Sequence, residues 1–273
     1  MGLFGSKKNP EDIRYNAMSM MERNQPKAAV SLFNKILKQN STDVGALFNK
    51  GLALNQIKKY SDAVTCFDKV LEINPNDAQA LNNKGIAMAE NGNIQAASEC
   101  YDAAIVADPK YAASFFNKGV LLDKLQECEL ALTVLEKAIS IDPRKPNAMV
   151  YKGIVLGKLK RHEEALNCFQ NICKKYPNNQ DAFFQKGVQL AELGKHEKAL
   201  DVFEEILKKY KDNVNVIYAK SRSKAALNKY PEALELLKQA ISRNPKIIRS
   251  WAREEPVFTT LHNNDKFRAL VKL

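Results

Sequence analysis

Short motifs recur along this chain every 34 residues, and this spacing constrains the fold more than any other feature. Five blocks have a glycine at the same position, and all seven have an alanine twelve positions later: Gly51, Gly85, Gly119, Gly153, Gly187; Ala29, Ala63, Ala97, Ala131, Ala165, Ala199, Ala233. A large apolar residue follows four positions after each alanine, and a proline closes five blocks. The chain is therefore built from repeated structural units.

Within a block, apolar residues fall at helical spacing, as in Leu47, Gly51 and Leu54, and again in Ala63 and Phe67. Each block therefore predicts two helices of about a dozen residues, and its small residues let the two helices cross closely. One helical hairpin cannot bury its apolar face alone, so neighbouring blocks must stack. The prediction is an all-α protein, a solenoid of helix-turn-helix repeats.

The alignment predicts seven repeats between a flexible tail and a capping segment. Their bounds are 1–9 for the tail; 10–43, 44–77, 78–111, 112–145, 146–179, 180–213 and 214–247 for the repeats; and 248–273 for the cap. In the cap, Trp251, Val257, Phe258, Leu261, Phe267 and Leu270 recur at helical spacing. The capping segment is expected to be a helix pair that covers the last repeat.

The columns resemble the tetratricopeptide repeat (TPR) family, whose pattern is an aromatic residue, Leu-Gly, a tyrosine, Ala-x-x-x-Phe and a closing proline. The resemblance covers residues 10–247 and implies that the solenoid is a right-handed superhelix. Leucine or phenylalanine replaces the tryptophan, a lysine stands in the leucine position before each glycine, and Ser41 and Lys211 replace the proline in two blocks. At about 100° per residue, the lysines flank the packed face and are expected to cover the neighbouring helix with their stems while the ammonium reaches water.

The same helical wheel places three columns of each first helix on a face turned away from the packing. In the TPR family this face lines a concave groove that holds extended peptides or partner helices. The resemblance therefore implies these groove residues: Phe48, Asn49, Leu52, Asn82, Asn83, Ile86, Phe116, Asn117, Val120, Val150, Tyr151, Phe184, Gln185, Val188 and Tyr218.

An exposed row of apolar side chains marks an interface, and amides suit the alternating N–H and C=O groups of a peptide backbone. The leading hypothesis is a non-catalytic scaffold or adaptor that binds a peptide segment or helix of another protein. Replacing Asn83 and Asn117 by alanine is expected to weaken the partner and leave folding intact.

Three alternatives remain open. A net charge of +11 favours anionic partners, but a nucleic-acid binder is disfavoured because the groove columns hold few cations, among them Arg14, Lys124, Lys158 and Arg222. The solenoid could also pair with itself through the apolar row. Finally, Met1 to Ser6 fit a myristoylation pattern on Gly2, which would make the protein a weakly membrane-anchored adaptor.

No phosphate-binding loop or nucleophile elbow occurs, so no enzyme, cofactor or metal site is predicted. His162 and His196 share one repeat column, in the turn before a second helix, and are expected to be surface residues. Five cysteines without a Cys-x-x-Cys pair indicate buried, inert thiols rather than disulfides. Together with the lack of a long apolar run, this predicts a cytoplasmic protein.

Overall fold

A computed structural model describes residues 9–272, which divide into two compact units at Arg144 and Lys145. The first unit consists of four helical hairpins, with these helices: α1 Pro10–Glu22, α2 Pro26–Gln39, α3 Val44–Gln56, α4 Tyr60–Ile73, α5 Ala78–Glu90, α6 Ile94–Ala107, α7 Ala112–Lys124 and α8 Cys128–Ile141. Successive first helices of the hairpins start 34 residues apart, as do successive second helices.

The second unit continues the series with three hairpins and a C-terminal segment. Its helices are α9 Pro146–Lys158, α10 His162–Lys175, α11 Gln180–Glu192, α12 His196–Lys209, α13 Val214–Ala226, α14 Tyr230–Arg243, α15 Pro245–Glu254, a 3-10 helix at Pro256–Leu261, and α16 Asp265–Val271. The prediction of an all-α helical-repeat solenoid is confirmed.

Asp and Asn side chains begin several of the first helices. Asp43 accepts a hydrogen bond from the N–H of Ala46, and Asn179 accepts one from the N–H of Ala182. Such caps satisfy backbone donors that have no partner within the helix. In these hairpins the start of the first helix is therefore encoded in a polar residue just before it as well as in the apolar columns.

The glycine column lies where the two helices of a hairpin come closest. A Cβ on Gly51 would lie 2.7 Å from the ring of Phe67, and one on Gly153 would lie 2.6 Å from the ring of Phe169. Both rings are fully buried. The glycine thus makes room for the large apolar residue of the second helix, which forms the centre of each repeat core.

Three lysines of the column that precedes the glycine position have a more specific role than the sequence predicts. Lys84 Nζ lies 2.7 Å from Asp68 Oδ1, and Lys220 Nζ lies 2.9 Å from Glu204 Oε1; Lys118 pairs with Asp102 in the same way. In each case the acid belongs to the second helix of the preceding repeat. These lysines therefore connect neighbouring repeats through ion pairs rather than only covering a helix with their stems.

The C-terminal segment packs against the last hairpin. Phe258 and Phe267 are fully buried in one apolar cluster with residues of α13 and α14. Helix α15 begins at Pro245, before the start of the predicted cap at residue 248. Trp251 is exposed at the surface, but its ring centroid lies 5.6 Å from that of Tyr218 in α13.

Candidate functional site

The candidate site is the surface formed by the side chains in the repeat columns of Phe48, Asn49 and Leu52, which we call the first-helix surface. These columns lie on the first helix of each hairpin: α1, α3, α5 and α7 in the first unit, and α9, α11 and α13 in the second. Thirteen of the fifteen residues predicted from the sequence are half-buried. Asn82 is only 3% exposed and Tyr218 only 7%. The expected apolar row is therefore only partly exposed, and Tyr218 within it is buried.

Packing on the repeat cores explains the limited exposure. The ring of Phe48 meets that of Phe67 edge-on with centroids 5.9 Å apart, and Phe184 lies 6.2 Å from Phe203. Such aromatic pairs hold the first-helix ring over the core residue of the second helix. The predicted binding residues are therefore anchored parts of the fold as well as surface.

The amide column makes hydrogen bonds within the protein. The side chains of Asn49 and Asn83 each donate to a carbonyl one turn back in their own helix, at 2.8 Å, while Asn117 Nδ2 donates to Asn82 Oδ1 at 2.9 Å. Asn117 thus satisfies a buried amide oxygen on the neighbouring first helix. The expectation that Asn117 could be removed without affecting the fold is not supported by this contact.

A cavity of about 150 Å³ opens between α5 and α7 in the first unit. Its apolar walls include Ile86, Val120 and the core ring of Tyr101. Glu90 and Lys124 stand at its edge, with Lys124 Nζ 3.8 Å from a Glu90 carboxylate oxygen. An apolar cavity beside a charged pair can accept a nonpolar side chain and orient the chain that carries it.

The second unit has a cavity of about 130 Å³ at the same repeat positions, between α11 and α13. Val188 and Phe203 form apolar wall, and Ser223 and His196 contribute polar atoms. Val257 of the C-terminal segment also lines it. The same kind of cavity therefore recurs, with different polar groups.

The C-terminal segment reaches the first-helix surface through an ion pair. Arg222 of α13 lies 2.6 Å from a carboxylate oxygen of Glu255 and 3.2 Å from Glu192 of α11. Arg222 occupies the repeat column of Leu52 and Val120. A carboxylate of the chain's own C-terminal segment thus lies beside a position where the family resemblance places a ligand.

The cations of the first-helix surface are largely neutralised. Lys124 pairs with Glu90 and Arg222 with Glu192, as described above, and Arg14 pairs with Asp43 at 2.7 Å. Hydrogen bonding from Arg14 lowers the pKa of the Asp43 carboxyl below its ordinary value, so this pair stays ionised at neutral pH. Arg14, Lys124 and Arg222, which could have supported nucleic-acid binding, therefore face acids on the protein itself.

The two histidines are not surface residues as expected. Each begins a second helix and is half-buried, and His162 Nδ1 lies 2.9 Å from Gln189 Oε1 of the next repeat. Nδ1 of His196 is buried without a partner. Among residues 9–272, His, Cys, Asp and Glu form no group of three or more that could hold a metal ion.

The thiols of the second helices are poorly suited to chemistry. Cys66 and Cys173 are buried, and burial raises the pKa of both thiols, as it does for Cys100 and Cys168. A raised pKa reduces the thiolate fraction at neutral pH and with it the reactivity.

Comparison with protein families identifies the repeat. Models described as tetratricopeptide repeat match residues 112–145, 152–214 and 190–252, and a model for the N-terminal TPR region of Psidin matches residues 15–118. The chain is a tetratricopeptide repeat protein. Proteins with TPR folds generally mediate protein–protein interactions. A comparison with curated protein sequences finds no match.

Solved TPR structures resemble the chain in fold. A TPR protein from Parabacteroides merdae ATCC 43184 is 16% identical, with 88% of this chain and 96% of that chain covered and a TM-score of 0.68. YrrB, described as a TPR protein with an unusual peptide-binding site, is 25% identical over 69% of this chain and 97% of its own, with a TM-score of 0.56. The Cut9-Hcn1 hetero-tetramer of the APC/C contributes a chain that is 17% identical, with 98% of this chain and 49% of that chain covered and a TM-score of 0.69.

Two predictions concern membranes. The proposed lipidation site, Gly2, lies outside the described residues. Within residues 9–272, no helix combines the length and the apolarity needed to cross a bilayer.

Sequence reasoning missed several residues of the first-helix surface. Tyr15 and Met18 occupy the columns of Asn49 and Leu52 in the first repeat, where they are 76% and 40% exposed. Extending the columns to the first block would have found both. The polar pair His196 and Ser223 gives no such signal, because their proximity depends on how consecutive repeats pack.

Proposed function

We propose that this TPR protein is a non-catalytic scaffold or adaptor that binds a peptide segment or helix of another protein on its first-helix surface. The observation that carries the proposal is the recurring cavity between consecutive first helices, at the same repeat positions in α5–α7 and in α11–α13. The description of YrrB, a TPR protein with a peptide-binding site, supports the same use of the fold.

Affinity would come from apolar side chains of the partner that enter the cavities. Burying one aliphatic side chain contributes about 1.5–3 kcal/mol, and Val120 in the first unit and Val188 in the second supply walls to cover it. Binding would require only small conformational changes in the protein, since both cavities are already open in the structure.

Orientation would come from the polar groups around each cavity. Glu90 and Lys124 offer both charges next to the first cavity. Asn83 lies on the same helix and uses one amide N–H for the Gln79 carbonyl. The second N–H and the oxygen of its side-chain amide can form hydrogen bonds with a peptide backbone, because an amide has two donors and two acceptor lone pairs.

Protein is favoured over nucleic acid by the pairing of surface cations with acids. Phosphate binding releases counterions only where free cations meet the backbone, and Arg14, Lys124 and Arg222 each lie beside a carboxylate. The proposal places the protein in the cytoplasm, as its free cysteines suggest. Self-association through the same surface would appear as a concentration-dependent mass in sizing experiments.

Selection of peptides from a random display library on the folded chain tests the proposal. Peptides that bind should lose at least about tenfold in affinity with Val120→Lys or Val188→Lys, since a charge in an apolar cavity costs more than 1.4 kcal/mol. Val106→Lys is the matched control, because Val106 is 81% exposed on the second helix α6. Peptides whose affinity falls with Val106→Lys but not with the cavity variants would contradict the proposal.

A further inference from the structure

Two equivalent pairs of positions in the second unit contain different residues and make different contacts. In the first case, His162 begins α10 and Gln189 follows in the next first helix, α11, with Nδ1 and Oε1 2.9 Å apart. Gln189 is buried, and its amide fits because residue 157 is a glycine: a Cβ there would lie 2.8 Å from Gln189 Nε2. The protein thus shows that a carboxamide fits beside this histidine.

One repeat later the carboxamide is missing. His196 stands in the column of His162, and Ser223 stands in the column of Gln189. Ser223 is 1% exposed, yet its hydroxyl has no hydrogen-bond partner, and neither has the buried Nδ1 of His196. Both residues line the cavity of about 130 Å³ between α11 and α13.

The surroundings of this cavity favour an uncharged polar group. Glu192 and Glu255 flank Arg222 at 3.2 and 2.6 Å, so this cation of the cavity wall is already matched by two carboxylates. An added carboxylate would meet these acids, whereas the carboxylates that could attract an added ammonium are already paired with the guanidinium. Burying a charge without its own partner is costly, whereas a neutral amide can be satisfied by hydrogen bonds alone.

We propose that this cavity binds the carboxamide side chain of a glutamine from the partner polypeptide, beside His196 and Ser223 and packed against Ala191, whose Cβ keeps it out of the position that Gln189 takes beside Gly157. The inference rests on the proposed function and specifies its chemistry in the second unit. The amide both donates and accepts, so it can pair with His196 in either tautomer and with the Ser223 hydroxyl. The methylenes of the glutamine contact Val188, Ala191 and Phe203.

The capped residues N-acetyl-glutamine-N′-methylamide and N-acetyl-norleucine-N′-methylamide are suitable probes, since they share the same two backbone amides and an unbranched side chain, and only glutamine has a carboxamide in the side chain. The measurement is a titration followed by the imidazole ¹⁵N resonances of the full chain. Glutamine should shift the His196 resonances saturably and leave those of His162 unchanged. Norleucine should bind at least about tenfold more weakly, the effect of about 1.4 kcal/mol of hydrogen bonding.

Two variants make the test specific. Ala191→Gly with Ser223→Gln transplants the Gln189 arrangement into the cavity and should abolish the glutamine response, while Ser223→Ala keeps the cavity and should weaken binding about tenfold. Helical circular dichroism verifies that both variants fold. A response of the transplanted variant equal to that of the wild type, equal binding of norleucine, or no shift of His196 at any glutamine concentration would each overturn the inference.

The outcome is separable from the proposed function. Loss of peptide binding in Val120→Lys and Val188→Lys tests the surface as a whole, whatever side chains the peptides carry. Should that loss occur while glutamine fails to shift His196, the first-helix surface binds peptides but the carboxamide assignment is wrong.

Discussion

Lys84 of α5 and Asp68 of α4 form an ion pair of 2.7 Å between consecutive repeats. Burial of the ammonium opposes its charged form, but the hydrogen bond and the charge of Asp68 outweigh this and raise the pKa of Lys84. Lysine at this position, where the TPR pattern has leucine, therefore contributes a contact between repeats.

A double-mutant cycle on Lys84→Met and Asp68→Asn measures this contact. Both side chains are partly exposed, so we expect a coupling of about 0.5 kcal/mol in the free energy of unfolding. Since exposed charges are screened, the coupling should shrink in about 1 M salt. A coupling that does not change with salt would mean that packing, rather than charge, links the two residues.

Gly153→Ala should destabilise the second unit. The added Cβ would lie 2.6 Å from the ring of Phe169, an overlap worth about 1–3 kcal/mol, against a gain of up to about 1 kcal/mol in helix propensity. We expect a net loss of about 1–2 kcal/mol in urea unfolding. The double variant with Phe169→Leu should lose less free energy of unfolding than the sum of the losses in the two single variants. Strict additivity would show that the overlap is relieved elsewhere.

Asp43→Asn should lower stability in a pH-dependent way. Because Arg14 lowers the pKa of Asp43 in the folded chain, the stabilisation is fully present above the unfolded pKa of about 3.9 and is lost as pH falls through the folded value. The variant should be about 1 kcal/mol less stable at pH 7, and this difference should shrink as the pH is lowered toward 2. The exposed pair of Lys59 and Asp62, 3.9 Å apart, supplies the control: Asp62→Asn should change stability little at either pH.

The two asparagines of the first unit should respond differently to alanine. Asn117→Ala removes the donor to Asn82, whose buried amide oxygen then lacks its partner, so we expect a loss of about 1–2 kcal/mol in stability. Asn83 donates only to its own helix and should be replaceable at little cost. Asn83→Ala is therefore the better test of the amide column in binding. Equal stability losses in thermal unfolding would contradict this division.

The repeats and helix positions follow from the sequence because each repeat reuses the same columns. The spacing of Gly51, Ala63 and Phe67 predicts a hairpin, and the structure places α3 and α4 there. Local periodicity is sufficient for this, since the helices and their closest approach depend on residues within a single block.

The details of the site depend on contacts between blocks, which a helical wheel does not include. A helical wheel gives the direction in which Asn117 points. It does not show that the buried side-chain oxygen of Asn82 lies there on the neighbouring first helix, or that Lys84 meets an acid of the preceding repeat. It also treats His162 and His196 as equivalent. Their difference arises from the neighbouring repeat, where one meets Gln189 and the other a cavity beside Ser223.

Methyl NMR of the Ile-, Leu- and Val-labelled protein, titrated with a peptide selected for binding, tests the central claim most directly. We predict saturable shifts of Ile86 and Val120, or of Val188, which line the cavities of the first-helix surface. Val106 and Leu130, exposed on second helices, should not shift. Shifts confined to Val106, Leu130 and their neighbours would place binding on the second helices and contradict the account.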